Sequence, residues 1–312
     1  MPVGTLLATQ EAAALGASFD DGEEEEEEGV RRRAGEVARG LLRRPGGIVG
    51  LAITVSLLAV AAFAPVIAPH SPYYQFPNGL LNDGSPVGPS AQFLLGTDAL
   101  GRDLLSRLLY GIRSTLVVAL AANLIAALVG VAVGSLAGYF GRWVDVALMR
   151  LTEVLLAVPA ILLAGFLALV THPSELSLIL IIGSVNWFYL ARIVRAEVLS
   201  IRRREFVEAA VSAGARHRRI LVGHVLPQIW PLVLVYMTLQ FSTTSMFVAS
   251  MSFVGIGIQP PTPSLGNLIA DGSQYLTSVP RLAIVPGVAL GLLVLGFNLL
   301  GDALHDAMSA DA

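Results

Sequence analysis

Few side chains in this sequence have the types and spacing that covalent chemistry needs. Asp98, Arg102 and Asp103 cluster two carboxylates with a guanidinium, and paired carboxylates can hold a metal or trade protons. Beside the stripe Leu104, Leu105, Leu108 and Leu109 they read better as a capped turn with local ion pairing. That stripe suits an amphipathic segment on the outer membrane surface. The run Ser242-Thr243-Thr244-Ser245 could line a polar path, or its hydroxyls could bond back to their own helix carbonyls. Glu153 and Asn186 are functional candidates if they are intramembrane, but both fall near span ends. His172, His217 and His224 lack metal-ligand spacing, and Gly255-x-Gly257 lacks the rest of a dinucleotide fingerprint. Neither HExxH nor GxSxG occurs. With no cysteine there is no disulfide or thiolate site. With no lysine there is no standard nucleotide-binding P-loop. The expectation is a chain with no catalytic residue, no metal and no bound cofactor.

The elements that would position these groups are made for lipid. The 312 residues are 54% hydrophobic and 14% charged, against about 25% charged in a soluble domain. Mean hydropathy is +0.70. Continuous apolar runs approach or exceed the ~20 residues that cross a bilayer, whereas a membrane barrel needs alternating strands. The fold class is therefore an all-α polytopic membrane protein. Six spans are expected, at 47–68, 115–137, 147–170, 176–194, 229–257 and 282–302, with Pro159 kinking the third. Residues 1–29 form an acidic tail, DDGEEEEEE at its centre, expected to be disordered. No cleavable signal peptide is expected, because charge precedes the first apolar run. Residues 30–46 place Ala34, Val37, Ala38 and Leu41 on one face of a basic amphipathic helix.

Arginine placement sets the orientation. Arg31, Arg32, Arg33, Arg39, Arg43 and Arg44 precede span one, and the segment from Arg192 to Arg219 carries eight more between spans four and five. The opposite loops hold far fewer, so both termini are expected in the cytoplasm and residues 69–112 and 259–280 outside. Those eight arginines would cost on the order of 20 kcal/mol inside a bilayer on the insertion scale, so residues 195–227 must be a cytoplasmic loop. Within it, Phe206, Ala209, Ala210 and Ala213 form a shallow apolar face on a short helix. Gly214 is placed to stop that helix. A second helix is expected from about Arg216 to Leu226, ended by Pro227. Such a projection suits docking into a groove on a partner; it also suits a mere connector held inside by its arginines.

Two further patterns concern packing. Gly130, Gly134 and Gly138 give GxxxGxxxG on span two, a spacing that lets helices meet backbone to backbone. Gln259-Pro260-Pro261-Thr262-Pro263 cannot continue a helix and should form a rigid external turn. A short helix from Leu265 to Leu276 would follow. The turn could border an outer gate, meet a binding protein, or simply cap span five.

Glu208-Ala209-Ala210, then Gly214, then His224-Val225-Leu226-Pro227, resembles the EAA loop of ABC importer permeases. His224 stands where the broad pattern has isoleucine, which points to the dipeptide/oligopeptide branch. LGTDALGRDLLSRLLYG (95–111), GYFGRWVDVALMRLTEVLLAVP (138–159), GIGIQPPTPSLGNLI (255–269) and FNLLGDALHDAM (297–308) are similar to the C-type permease of dipeptide, oligopeptide and nickel importers. Leu265 replaces a tryptophan common in that branch. The resemblance covers roughly residues 40–308. It implies a type I ABC importer transmembrane fold, with a core at 113–305 and a cytoplasmic tail at 306–312. It also implies a coupling helix in which Glu208, Ala209, Ala210, Gly214, His224, Leu226 and Pro227 meet an ATPase. The implied partners are a second, B-type permease, two cytoplasmic ATPases that hold ATP and magnesium, an extracytoplasmic substrate-binding protein and the lipid bilayer, with no nucleic acid. The implied cargo is a di- or oligopeptide, with nickel or another small solute of the branch as the alternative. A stand-alone secondary transporter or channel would need coupling charges at the bilayer midplane, and none lies deep in the expected spans.

Overall fold

Capping residues and apolar length together account for where the helices begin and end. The computed structural model describes residues 40–42, 44–171 and 174–309. The first long helix, α1 (Pro45–Ile67), starts on a proline, whose fixed φ suits a first turn. Next, α2 (Leu104–Phe140) is capped by the Asp103 carboxylate, which accepts from Ser106 N, and stops at Gly141, whose φ is 62°. Then come α3 (Arg142–Leu156), α4 (Ala160–Val170) and α5 (Glu175–Ile201). A reciprocal Ser174–Ser177 capping box opens α5. The loop helices α6 (Glu205–Ser212) and α7 (His217–Ile220) run through a π turn, Leu221–Val225, into α8 (Leu226–Phe253). A short α9 (Leu265–Ser273), capped by Ser264, and the long α10 (Arg281–Ser309) complete the order. Among the described residues, five helical runs are long and apolar enough to cross a bilayer, or six when the bent pair α3–α4 counts as one span.

The centre of the bundle is the pairing of α2 with α5. Alanines and branched residues fill it, among them Val118, Ala119, Ala122, Ile182, Val185 and Ala191. The three glycines of α2 lie along this seam. A Cβ at Gly130 would sit 3.0 Å from Trp187 O, at Gly134 2.5 Å from Ala191 O, and at Gly138 2.9 Å from Arg195 O. Only glycine lets the two backbones come this close. Outside the seam, α10 packs on α1 and α8; Phe297 stacks against Phe241 of α8 with ring centroids 4.0 Å apart.

Several expectations change. Span two does not begin near 115. The helix starts at Leu104 because Asp103 caps it there, so the leucines of 104–109 belong to the same rod and not to a separate surface segment. Pro159 does more than kink span three: α3 and α4 meet at 87°. Val158 and Pro159 leave the helix, with Pro159 extended at φ −54°, ψ 128° as the cap of α4. A proline removes a helical donor and clashes one turn back, and here the chain turns a corner at that point. Span five ends at Phe253 rather than 257, because Gly255 takes φ 84°. Helices α5 and α10 run beyond the expected 194 and 302, to Ile201 and Ser309. The short helix after the proline turn stops at Ser273, not Leu276. The basic helix expected over 30–46 is broken at Arg44, which is extended before Pro45; residues 40–42 are helical. The remainder of that helix, the acidic tail and His172 lie outside the described residues.

The segment between α1 and α2 has no helix and is built from turns. Thr97 holds it: its hydroxyl donates to Gly79 O at 2.5 Å and accepts from Val87 N at 2.9 Å. Phe76, Phe93 and His70 stack beside it. Arg281, at the start of α10, donates to Leu95 O at 3.2 Å and Val87 O at 2.8 Å, fastening this segment to the bundle.

Candidate functional site

The loop between α5 and α8 is held as a rigid projection. Val207 of α6 is only 2% exposed and packs with Val198, Ile201, Ile220, Val225 and Ile229, which belong to α5, α7, the π turn and α8. At the end of α6, Gly214 N donates to Val211 O at 3.0 Å and Ala215 N to Ala210 O at 3.1 Å. That is a Schellman closure, and it requires the left-handed conformation Gly214 adopts, φ 78°. Arg204 donates to Gln228 Oε1 at 3.1 Å, tying the loop's two ends. The opposite side of α6 is open. Phe206 and Val211 are 39% and 51% exposed. Glu208, Ala209 and Ala213 are exposed too, and Ala210 is half-buried. Beside α6 lies a groove of about 670 Å³ lined by Tyr139, Phe140, Arg142, Arg202, Glu208 and His217. The Tyr139 hydroxyl and His217 Nδ1 share a hydrogen bond at 3.0 Å.

The second half of the loop departs from the sequence expectation. Pro227 does not end a helix; it lies in the first turn of α8, immediately after the π turn. The π turn bonds Leu226 N to Leu221 O, five residues back. Its wider ring gives room for a proline that a regular helix interior would reject. Accordingly α7, the π turn and α8 form one continuous run from His217 to Phe253. His224 and Pro227 are exposed on it, and Leu226 is half-buried.

A second feature opens between α3, α5 and α8. It is a cavity of about 890 Å³ lined by Glu153, Asn186, Tyr189, Arg192, Arg195, Tyr236, Gln240, Thr243 and Phe247, with Met149, Ala160, Ile193 and Ala196 between them. The residues from α8, Tyr236, Gln240, Thr243 and Phe247, follow i, i+4, i+7, i+11, so they share one helix face that is polar at its first three positions. On α5, Asn186, Tyr189 and Ile193 share a face at i, i+3, i+7, with Arg192 and Ala196 beside them. Arg195 forks onto Asp145 of α3, with Nη2 to Oδ2 at 2.6 Å. Arg150 pairs with Glu153 at 3.1 Å. Asn186 donates to the Thr244 hydroxyl at 3.2 Å, and Ser242 donates to Val294 O at 3.2 Å. Two of the hydroxyls in the 242–245 run thus reach across to other helices rather than back along their own.

Glu153 and Asn186 were visible in the sequence as candidates, and the fold brings them to one cavity. Tyr189, Arg192, Tyr236 and Gln240 were missed. The stripe at helical spacing on α8 signals Tyr236 and Gln240, which a mean over the span conceals; Tyr189 and Arg192 stand on α5, and only the folded bundle brings them to the cavity.

At the other end of the bundle, Asp98 accepts a hydrogen bond from Arg102 Nε at 2.7 Å and forms an ion pair with Arg107, Nε to Oδ2 at 3.1 Å, while Asp103 caps α2. These residues form ion pairs and a cap, as their spacing suggested. A depression of about 210 Å³ lies beside them, lined in part by Asp271 and Tyr275. Burial raises the Asp271 carboxyl above its usual range, against the pull of Arg107 and Arg102. Gln259 Nε2 donates to Gly255 O at 3.1 Å and Gly257 O at 3.0 Å. Pro260, Pro261 and Pro263 follow it as a non-helical turn before α9. Among the described residues no group of histidines and carboxylates is arranged to hold a metal.

Comparison with known proteins gives consistent matches. Residues 130–311 match the family described as binding-protein-dependent transport system inner membrane component. Residues 33–84 match the N-terminal transmembrane domain of oligopeptide transport permease C. The chain is 37% identical to the dipeptide transport system permease protein DppC of Alkalihalophilus pseudofirmus, covering 88% of each chain. It is 35% identical to the oligopeptide transport system permease protein OppC of Mycobacterium bovis, over 87% of this chain and 92% of that one. A chain from the MetNI methionine ABC transporter shares the fold, with TM-score 0.53, 21% identity, and coverage of 66% of this chain and 97% of that one.

Proposed function

The chain belongs to the binding-protein-dependent transport system inner membrane components, a family of multi-span ABC transporter permeases, and we propose that its cargo is di- and oligopeptides. The dipeptide and oligopeptide permeases to which it is similar along most of its length support that cargo. In this reading a second permease completes the path, an extracytoplasmic binding protein delivers the peptide, and two cytoplasmic ATPases bind ATP and magnesium. Both termini lie in the cytoplasm in this reading, which the arginine distribution supports. This subunit moves without doing bond chemistry.

The observation that carries the mechanism is the attachment of α6. Its buried side, Val207, joins one cluster with Val198 and Ile201 of α5 and with Ile229 of α8. Those two helices carry the polar faces that line the 890 Å³ cavity. A push on the exposed face of α6 is therefore delivered to the cavity walls as a rigid displacement. Closure of an ATPase dimer supplies the push, and alternating access follows as the two permeases rock apart or together.

The test is ATP-dependent uptake of a labelled dipeptide by the complete transporter in liposomes. Glu208→Arg should abolish uptake while the subunit still inserts and co-purifies with the second permease. Uptake at the unmodified rate would refute the role of α6.

A further inference from the structure

The charged groups lining the cavity are not equivalent. Arg195 is held by Asp145 through both ends of its guanidinium. Glu153 is held by Arg150 at 3.1 Å. Arg192 lines the same cavity and has no hydrogen-bond or ion-pair partner among the described residues. It stands on α5 with Asn186 and Tyr189, facing Tyr236, Gln240 and Thr243 of α8 across the space. So the wall offers one uncommitted cation among neutral groups that can donate or accept hydrogen bonds.

Arg192 lies toward the cytoplasmic end of α5 and is exposed, so its unpaired guanidinium is open to water or to an anion that enters the cavity. A guanidinium fork fits a carboxylate with two parallel bonds. Phenol, amide and hydroxyl groups suit peptide amide units without selecting side chains. A peptide of any sequence has one C-terminal carboxylate and a run of such amides. We propose that Arg192 receives the C-terminal carboxylate of the peptide in transit, while Tyr189, Tyr236, Gln240 and Thr243 meet its backbone. This rests on the peptide reading above and adds which group of the cargo the permease itself senses. Arg195 is unsuited to the role because its fork is already filled.

The experiment uses the complete transporter in liposomes and compares a dipeptide with its C-terminal amide. The readout is uptake per ATP hydrolysed, which separates the path from delivery. The unmodified transporter should move the free acid at least about fivefold better than the amide, the size expected of one charge-assisted contact. Arg192→Gln should lower acid uptake about tenfold and lose the preference, with binding-protein-stimulated hydrolysis kept within about twofold. Arg192→Lys, which keeps the charge but not the fork, should restore part of the uptake. The assignment is overturned if Arg192→Gln keeps the acid-over-amide preference. It is equally overturned if uptake and hydrolysis fall in parallel, which would make Arg192 a structural or coupling residue, or if Arg192→Lys recovers nothing. An unmodified transporter that moves neither compound overturns the peptide reading itself, a different result from any of these.

Discussion

Gly134 of α2 faces the carbonyl of Ala191 of α5 so closely that a Cβ on Gly134 would lie 2.5 Å from that oxygen. Backbone stands on both sides of this contact, so no side chain can swing away to make room. Gly134→Val should force α2 and α5 apart. The expected loss is about 1–3 kcal/mol, the usual range for overpacking a filled interior. It should be seen as a lower melting temperature of the purified subunit in detergent. Gly223→Ala is the control, because nothing lies within 4 Å of a Cβ there.

Gly214 isolates a different effect. A Cβ there meets nothing within 4 Å, yet φ is 78°. Within this subunit, a loss on substitution therefore comes from backbone conformation rather than a clash at Cβ. Gly214→Val should disfavour the turn by about 1–2 kcal/mol and uncouple uptake from ATP hydrolysis while the protein still inserts. Gly214→Asn, the side chain that best tolerates this region, should keep most of the uptake. Equal losses in the two variants would argue against a conformational cause.

The Asp145–Arg195 fork ties α3 to α5 at the cavity edge. Arg195→Ala leaves a partly buried carboxylate without its partner and should cost about 1–3 kcal/mol. A double-mutant cycle with Asp145→Ala checks it. The double variant should lose less than the sum of the two single losses, because the second removal takes away a group already orphaned.

Arg281→Ala removes the two bonds to Leu95 O and Val87 O that fasten the external segment. Limited proteolysis should then cut between residues 69 and 103 faster than in the unmodified protein. The helices themselves should keep their circular dichroism, because α10 does not depend on those bonds.

Much of this architecture was legible in the sequence, for identifiable reasons. The start of α5 fell within a residue of the expected 176, where apolar length and a local cap coincide; α2 starts at Leu104 rather than near 115 because the Asp103 cap carries the helix past the apolar run. The glycine seam was legible because its period matches one helix face. The 87° corner at Pro159 was not, since a proline dictates a break but not the angle its flanking helices find against their neighbours. Nor was the π turn before Pro227, where a sequence rule that ends helices at proline overlooks a local widening of the backbone. The cavity wall was hidden because its polar residues come from α3, α5 and α8, which meet only in the folded bundle.

The π turn also governs how the loop answers a change in chain length. A π turn holds one residue more than the α turn it replaces, so its wider ring absorbs that residue and the segments on either side keep their phase. Deleting a single residue within Leu221–Val225 should restore a plain helix from His217 into α8 and leave α6 aimed nearly as before. The same deletion a few residues on, inside α8, has no wide turn to draw on and would rotate α6 by about 100° around the helix axis. The loop thus carries one residue of slack in its backbone, stored where it joins the membrane helix.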